Sequence, residues 1–261
     1  MTSTPNGAAP VMAGAEPLSH DPGVEDAPGL LALHGFTGNP SSMRGVAEAF
    51  VSAGYHVELP LLSGHGTVID DMLPTGWAEW SADVEAAYQR LAARTDRIVV
   101  AGLSMGGSLA LSLALDHPEL LGLVLVNPAT QPQPDDVREM VAELLADGTA
   151  VVPGIGSDIA DPDAVELAYP GTPLAPLISF QDHGLQPLTT RFGELKAPLL
   201  LFTSRQDHVI DPAQSEHLAV SYGGEVDHRW LDRSYHVATN DYDRHDIVCA
   251  SLHFSNRLVA G

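Results

Sequence analysis

Apolar residues in this chain fall into two alternating patterns. Short apolar runs read as buried strands: "GLLALHG" (29–35), "RIVVAGL" (97–103), "LLGLVLVNP" (120–128) and "APLLLFTS" (197–204), with "YHVELP" (55–60) and "EVDHRWL" (225–231) as further strands. Between them lie stretches with helical spacing at 41–54, 77–94, 105–117, 212–221 and 243–257. Strand and helix alternating in this way predict an α/β fold, with a mostly parallel central sheet and helices on both faces. The rhythm breaks once. Residues 129–190 are rich in proline and acid and carry one clear helical piece, "DDVREMVAELLADG" (135–148). They are expected to form a small cap inserted into a core made of residues 1–128 and 191–261, over one end of the sheet.

One corner carries chemistry. In "RIVVAGLSMGGSLALSLAL" a strand pattern stops, Ser104 stands between Gly102 and Gly106, and a helix pattern begins. Glycines on both sides let strand and helix approach closely and let the serine adopt a strained backbone, which lifts its hydroxyl clear of both elements. This is the Gly-x-Ser-x-Gly elbow of a nucleophilic serine. In parallel sheets ligands meet the protein at the carboxyl ends of strands, where Ser104 would lie.

Such a serine needs a base, and the base needs an acid to orient it, in the chain order serine, acid, histidine. The strand 197–204 runs into "RQDHVID", which offers Asp207 and Asp211. Asp211 directly precedes Pro212 and a helix, so capping explains it. Asp207 is the preferred acid. After the next strand, "DRSYHVATND" presents His236 on a loop. His228 falls within a strand, His217 and His245 within helices, and His208 comes one strand too early. The oxyanion donors are then the backbone N–H groups of Met105, which follows the nucleophile, and Phe36, in the loop after the first strand. His34 is expected to brace that loop.

The segments "HGFTGNPSSMR", "AGYHVELPLLSGHGT", "GLSMGG", "IGSDI", "ELAY", "DHV" and "SYHVATNDYD" together resemble the small bacterial carboxylesterases and monoacylglycerol lipases of the α/β-hydrolase superfamily. The resemblance runs from about Gly14 to the last helix and implies the α/β-hydrolase fold with the same triad and oxyanion donors. It also implies a substrate-binding role, toward glycerol hydroxyls, for the cap glutamate of "ELAY", Glu166. The expected substrate is a monoacylglycerol or a short- to medium-chain fatty ester. A general carboxylesterase, a thioesterase or acyltransferase, and a non-catalytic ligand receptor on the same fold stay open at this point.

Composition narrows the partners. With 12 basic and 34 acidic residues the formal charge is −22, and Lys196 is the single lysine. Such a surface repels phosphate backbones and anionic lipid, which argues against nucleic-acid binding and electrostatic membrane docking; no stable membrane insertion is expected. No apolar run approaches a membrane span, and the first 28 residues lack the pattern of a secretion signal, so a cytoplasmic location is expected. Residues 1–10 are expected to be loose. Cys249, the single cysteine, sits in the apolar stretch "DIVCASLHF" and reads as core. The acids of "NDYDRHD" (240–246) read as capping residues rather than metal ligands, Trp77 and Trp80 as core, and "GHGT" (64–67) as a structural loop. No phosphate loop or dinucleotide fingerprint occurs, so no cofactor is expected.

Overall fold

A computed structural model describes residues 9–261. The loose start expected for residues 1–10 therefore lies, for its first eight positions, outside the described residues. The chain runs β1 (Leu18–His20), β2 (Gly29–Leu33), α1 (Arg44–Ser52), β3 (His56–Leu59), α2 (Ile69–Met72), α3 (Trp77–Ala92), β4 (Ile98–Leu103), α4 (Met105–Asp116) and β5 (Gly122–Val126). It continues with α5 (Asp135–Ala146), β6 (Val151–Pro153), β7 (Gly171–Pro173), α6 (Leu174–Ser179) and α7 (Gln186–Leu188). It closes with β8 (Leu199–Ser204), α8 (Ala213–Ser221), β9 (Val226–Leu231) and α9 (Arg244–Ala260).

Seven strands form one sheet in the order β1-β3-β2-β4-β5-β8-β9. Every pairing is parallel except β1 with β3. This is the α/β-hydrolase architecture. The unbroken apolar runs have a direct cause in the two-residue period of a strand. Leu31, Leu33, Val100, Leu123, Leu125, Leu199 and Leu201 point to one face and pack with α3 and α4. Their neighbours Leu30, Ala32, Val99, Ala101, Val124, Val126 and Leu200 point to the other and pack with α1 and α9. Both faces of β2, β4 and β5 are covered, so their positions are apolar throughout, while β3 carries buried His56 and Glu58 and the edge strand β9 is polar and only partly covered.

Between β5 and β8 the chain is more regular than its sequence suggests. Besides α5 it contains an antiparallel β6–β7 hairpin and a nearly continuous helical stretch of α6, a π-helical turn at Phe180–Leu185, and α7. Pro176 and Pro187 hide this stretch from a reading that treats proline as a breaker. Pro176 sits in the first turn of α6, where a missing N–H costs no hydrogen bond, and Pro187 comes just after the π-helical turn. α5 buries none of its residues and leaves Met140 and Leu144 exposed.

Cys249 corrects the sequence reading, because it is exposed. α9 turns Ile247, Ser251, Phe254 and Ser255 inward. A residue two positions after Ile247 is rotated by roughly 200° and faces outward. Trp80 is fully buried and Trp77 nearly so, as core residues. Among the described residues no helix is long and apolar enough to cross a membrane.

Candidate active site

The corner between β4 and α4 is held by steric exclusion. Ser104 has φ 55° and ψ −120°, a backbone conformation that L-residues adopt only when the surroundings impose it. A Cβ on Gly102 would collide with the Gly106 carbonyl, and one on Gly106 with the carbonyl of Leu33. Only glycine fits at either place. The Ser104 N–H donates to Val126 O (3.1 Å), and its own carbonyl accepts from Gly107 N–H (2.9 Å). These bonds fix the strained residue at the start of α4, where the first helical N–H groups have no helical acceptor.

Two backbone donors stand beside it. Among the described residues the N–H groups of Met105 and Phe36 have no hydrogen-bond acceptor. The Phe36 loop is held from below by His34, whose ring is fully buried. Leu62 N–H donates to His34 Nε2 (3.2 Å), so the neutral ring carries its proton on Nδ1, which donates to the Gly35 carbonyl (3.0 Å). Burial, reinforced by the neighbouring His65, pushes the His34 pKa down to about 3, which keeps the ring in this neutral form. His34 sits where a brace for the Phe36 loop is needed.

Asp207 follows β8 and His236 follows β9. Asp207 Oδ1 accepts from Val209 N–H (2.8 Å) and Ile210 N–H (2.9 Å), which turns Oδ2 toward the His236 ring. His236 Nδ1 donates to that oxygen at 2.8 Å, with both side chains buried. Asp211 instead accepts from Ala213 N–H (2.9 Å) at the start of α8. His228 contacts Thr203 from within β9, while His217 and His245 lie on α8 and α9.

Ser104, Phe36, His236 and Glu166 line one cavity of about 220 Å³. Ser104 and His236 share it without a direct hydrogen bond, and contacts of this kind tighten when a substrate seats. Glu166 reaches the cavity because its stretch is pinned to the core loops. The Tyr169 N–H donates to Thr37 O (3.0 Å), and its hydroxyl donates to Gly64 O (2.8 Å) and accepts from Thr67 N–H (3.0 Å). Asn39 Nδ2 donates to Leu167 O. "GHGT" is thus a docking loop for "ELAY". Burial raises the Glu166 pKa, opposed by His236, the Asp158 N–H and the Ser157 side chain.

Two residues of the site carry no role in the sequence reading. Asn127, at the end of β5 with φ 45°, donates through Nδ2 to His236 O (2.8 Å) and Ser204 Oγ (3.0 Å) and accepts from Ser204 N–H (2.7 Å). The signal available was an asparagine at a strand's carboxyl end, a residue type that tolerates positive φ. Asp158 accepts the His236 N–H (3.0 Å), and "IGSDI" offers no local pattern that predicts it. The acids of 240–246 have structural partners: Asp241 accepts N–H bonds from Ala160, Asp161, Tyr235 and Tyr242, and Asp243 from Arg233 and Ser234.

The sequence profile of the family described as serine aminopeptidase, S33, matches residues 27–158. Over 248 residues the chain is 41% identical to a thermostable monoacylglycerol lipase of Bacillus sp. (strain H-257), covering 94% of this chain and 96% of that protein. A carboxylesterase of Bacillus subtilis (strain 168) is 26% identical over 224 residues, covering 84% and 88%. A solved structure from work on the metagenome-derived lipolytic enzymes LipS and LipT superposes with a TM-score of 0.88 at 39% identity, covering 95% of this chain and all of that one.

Proposed function

The chain belongs to the small bacterial carboxylesterase and monoacylglycerol lipase family of the α/β-hydrolase superfamily and is a carboxylic ester hydrolase; from this premise we propose that it is a monoacylglycerol lipase. In this reading Ser104 is the nucleophile, His236 the general base and acid, and Asp207 the residue that orients His236. His236 takes the Ser104 proton as the hydroxyl attacks the ester carbonyl. The developing oxyanion accepts from the N–H groups of Phe36 and Met105. The protonated imidazole, stabilised by Asp207, then donates its proton to the departing alcohol. Water activated by the same ring releases the fatty acid.

The segment 129–190 acts as a cap in this account, and Glu166 is the residue that recognises the glycerol hydroxyls. The observation that carries the proposal is the placement of a half-buried carboxylate, Glu166, in the same cavity as Ser104 and His236. A carboxylate there serves an alcohol group that bears hydroxyls and has no partner in a methyl ester. An adjoining groove of about 340 Å³ under α5 shares Gln133, Leu177 and Gln181 with the cavity and gives a longer acyl chain a way onward.

The test compares kcat/KM for a monoacylglycerol and for the methyl ester of the same fatty acid. A preference for the glycerol ester that Glu166→Ala removes, by about 10- to 100-fold, supports the proposal, since hydrogen bonds to a charged group carry that weight. Equal rates for both esters in the native protein would make it a general carboxylesterase.

A further inference from the structure

The His236 backbone is gripped from two sides. On the core side its carbonyl accepts from Asn127 Nδ2 (2.8 Å). On the other its N–H donates to the Asp158 carboxylate (3.0 Å), and Asp158 belongs to the segment inserted between β5 and β8. We propose that Asp158 is a positioning residue for the catalytic pair, holding the loop of His236 and the loop of Asp207 in one alignment.

Three contacts support this assignment. Asp158 Oδ2 accepts from the His236 N–H and also from the His208 N–H (3.1 Å), the residue next to Asp207. Its Oδ1 accepts from the His208 ring, through Nδ1 at 2.7 Å. The Asp158 carbonyl accepts from Val237 N–H (3.1 Å), so the segment meets the His236 loop through backbone as well as side chain. One nearly buried carboxylate therefore joins the loops after β8 and β9. Its oxygens are occupied by protein donors, which makes it a support for the reacting groups and not a reactant itself. Because it comes from the insertion, seating of that segment and alignment of His236 are a single event.

A second buried carboxylate provides the control. Asp241 also ties the insertion to the core, through Ala160 and Asp161, and it reaches the His236 loop one residue earlier, at the Tyr235 N–H, while bonding neither His236 nor His208 directly. A residue that only stabilises the joint should behave like Asp241. A residue that positions the pair should change kcat in the folded protein.

The inference rests on the ester-hydrolase reading of the site. The experiment measures kcat and KM on a soluble monoacylglycerol for Asp158→Asn, Asp241→Asn and Ser104→Ala. The proton NMR signal of His236 Nδ1–H shared with Asp207 is recorded in parallel. Asp158→Asn is expected to lose about 10²-fold in kcat with little change in KM, the scale of a small misplacement of reacting groups. The shared proton signal should shift or broaden. Asp241→Asn should lower thermal stability while the folded protein loses far less kcat than Asp158→Asn does and keeps its proton signal.

If Asp158→Asn does not fold, His208→Ala decides, because the exposed ring can be removed without touching the core. It frees one side of the carboxylate and should lower kcat several-fold and perturb the same signal. Native kcat and an unchanged signal in whichever variant folds overturn the proposal. Turnover retained in Ser104→Ala would overturn the hydrolase site itself. An inactive Ser104→Ala beside a fully active Asp158→Asn would remove only the role of Asp158.

Discussion

The two ends of the candidate site are held by different physics. At the Ser104 end, position is set by excluded volume around the five residues Gly102–Gly106, because the carbonyls of Gly106 and, from the neighbouring strand, Leu33 occupy the space where side chains on Gly102 and Gly106 would go. At the His236 end, position is set by hydrogen bonds from three distant parts of the chain: Asn127, Asp158 and Asp207. Close-packed backbone gives no room for graded failure. A polar clamp can lose one member and keep its fold. The contrast explains why the Ser104 corner is written as a short motif while the residues proposed to serve it are scattered.

The largest expected effect is at the steric end. Gly106→Ala should cost about 3 kcal/mol or more of stability, because backbone must move to admit the methyl group. Chemical denaturation measures this directly. A variant with native stability would break the comparison, since Ser104 would then not depend on the close approach.

At the polar end the fold should survive and the chemistry should not. Asp207→Asn keeps an oxygen for Val209 and Ile210 but presents the wrong group to His236 Nδ1. The expected result is a fall of about 10⁴-fold in kcat with stability changed by only about 1 kcal/mol. Steady-state kinetics beside a urea melt separates the two quantities.

A smaller effect sharpens the contrast on the Phe36 side. Burial pushes His34 down to about 3 and His65 down to about 4, so the native state refuses protons that the unfolded chain binds near 6.5. Their contribution to stability is intact above pH 6.5 and is lost as the pH falls below it, at roughly 1.4 kcal/mol per pH unit for each ring. Urea melts between pH 7 and pH 4.5 should record this slope, and His65→Gln should remove about half of it. A slope unchanged in that variant would place the acid sensitivity elsewhere.

The same contrast governs what could be read from sequence. The central strands were legible because burial on both faces leaves them apolar, and the elbow because its glycines lie two positions either side of the residue they serve. The order and placement of Asp207 and His236 followed from counting strands. Asp158 and Asn127 were not legible, since their partners lie about 80 to 110 positions away and neither makes a local pattern. α6 and α7 were masked by Pro176, in the first turn of α6, and Pro187, just after the π-helical turn. Cys249 misled because its apolar neighbourhood spans the whole circumference of α9, of which only one stripe is buried.

The central claim is that Ser104 carries the acyl group. The most direct measurement is mass spectrometry of the protein quenched during turnover of a slowly released ester, with the modified peptide sequenced. The expected result is an acyl adduct on Ser104 that forms and decays at the rate of turnover, with a Ser104→Ala variant reduced by about 10⁴-fold or more in kcat. An adduct on another residue, or turnover that persists in Ser104→Ala, would contradict it.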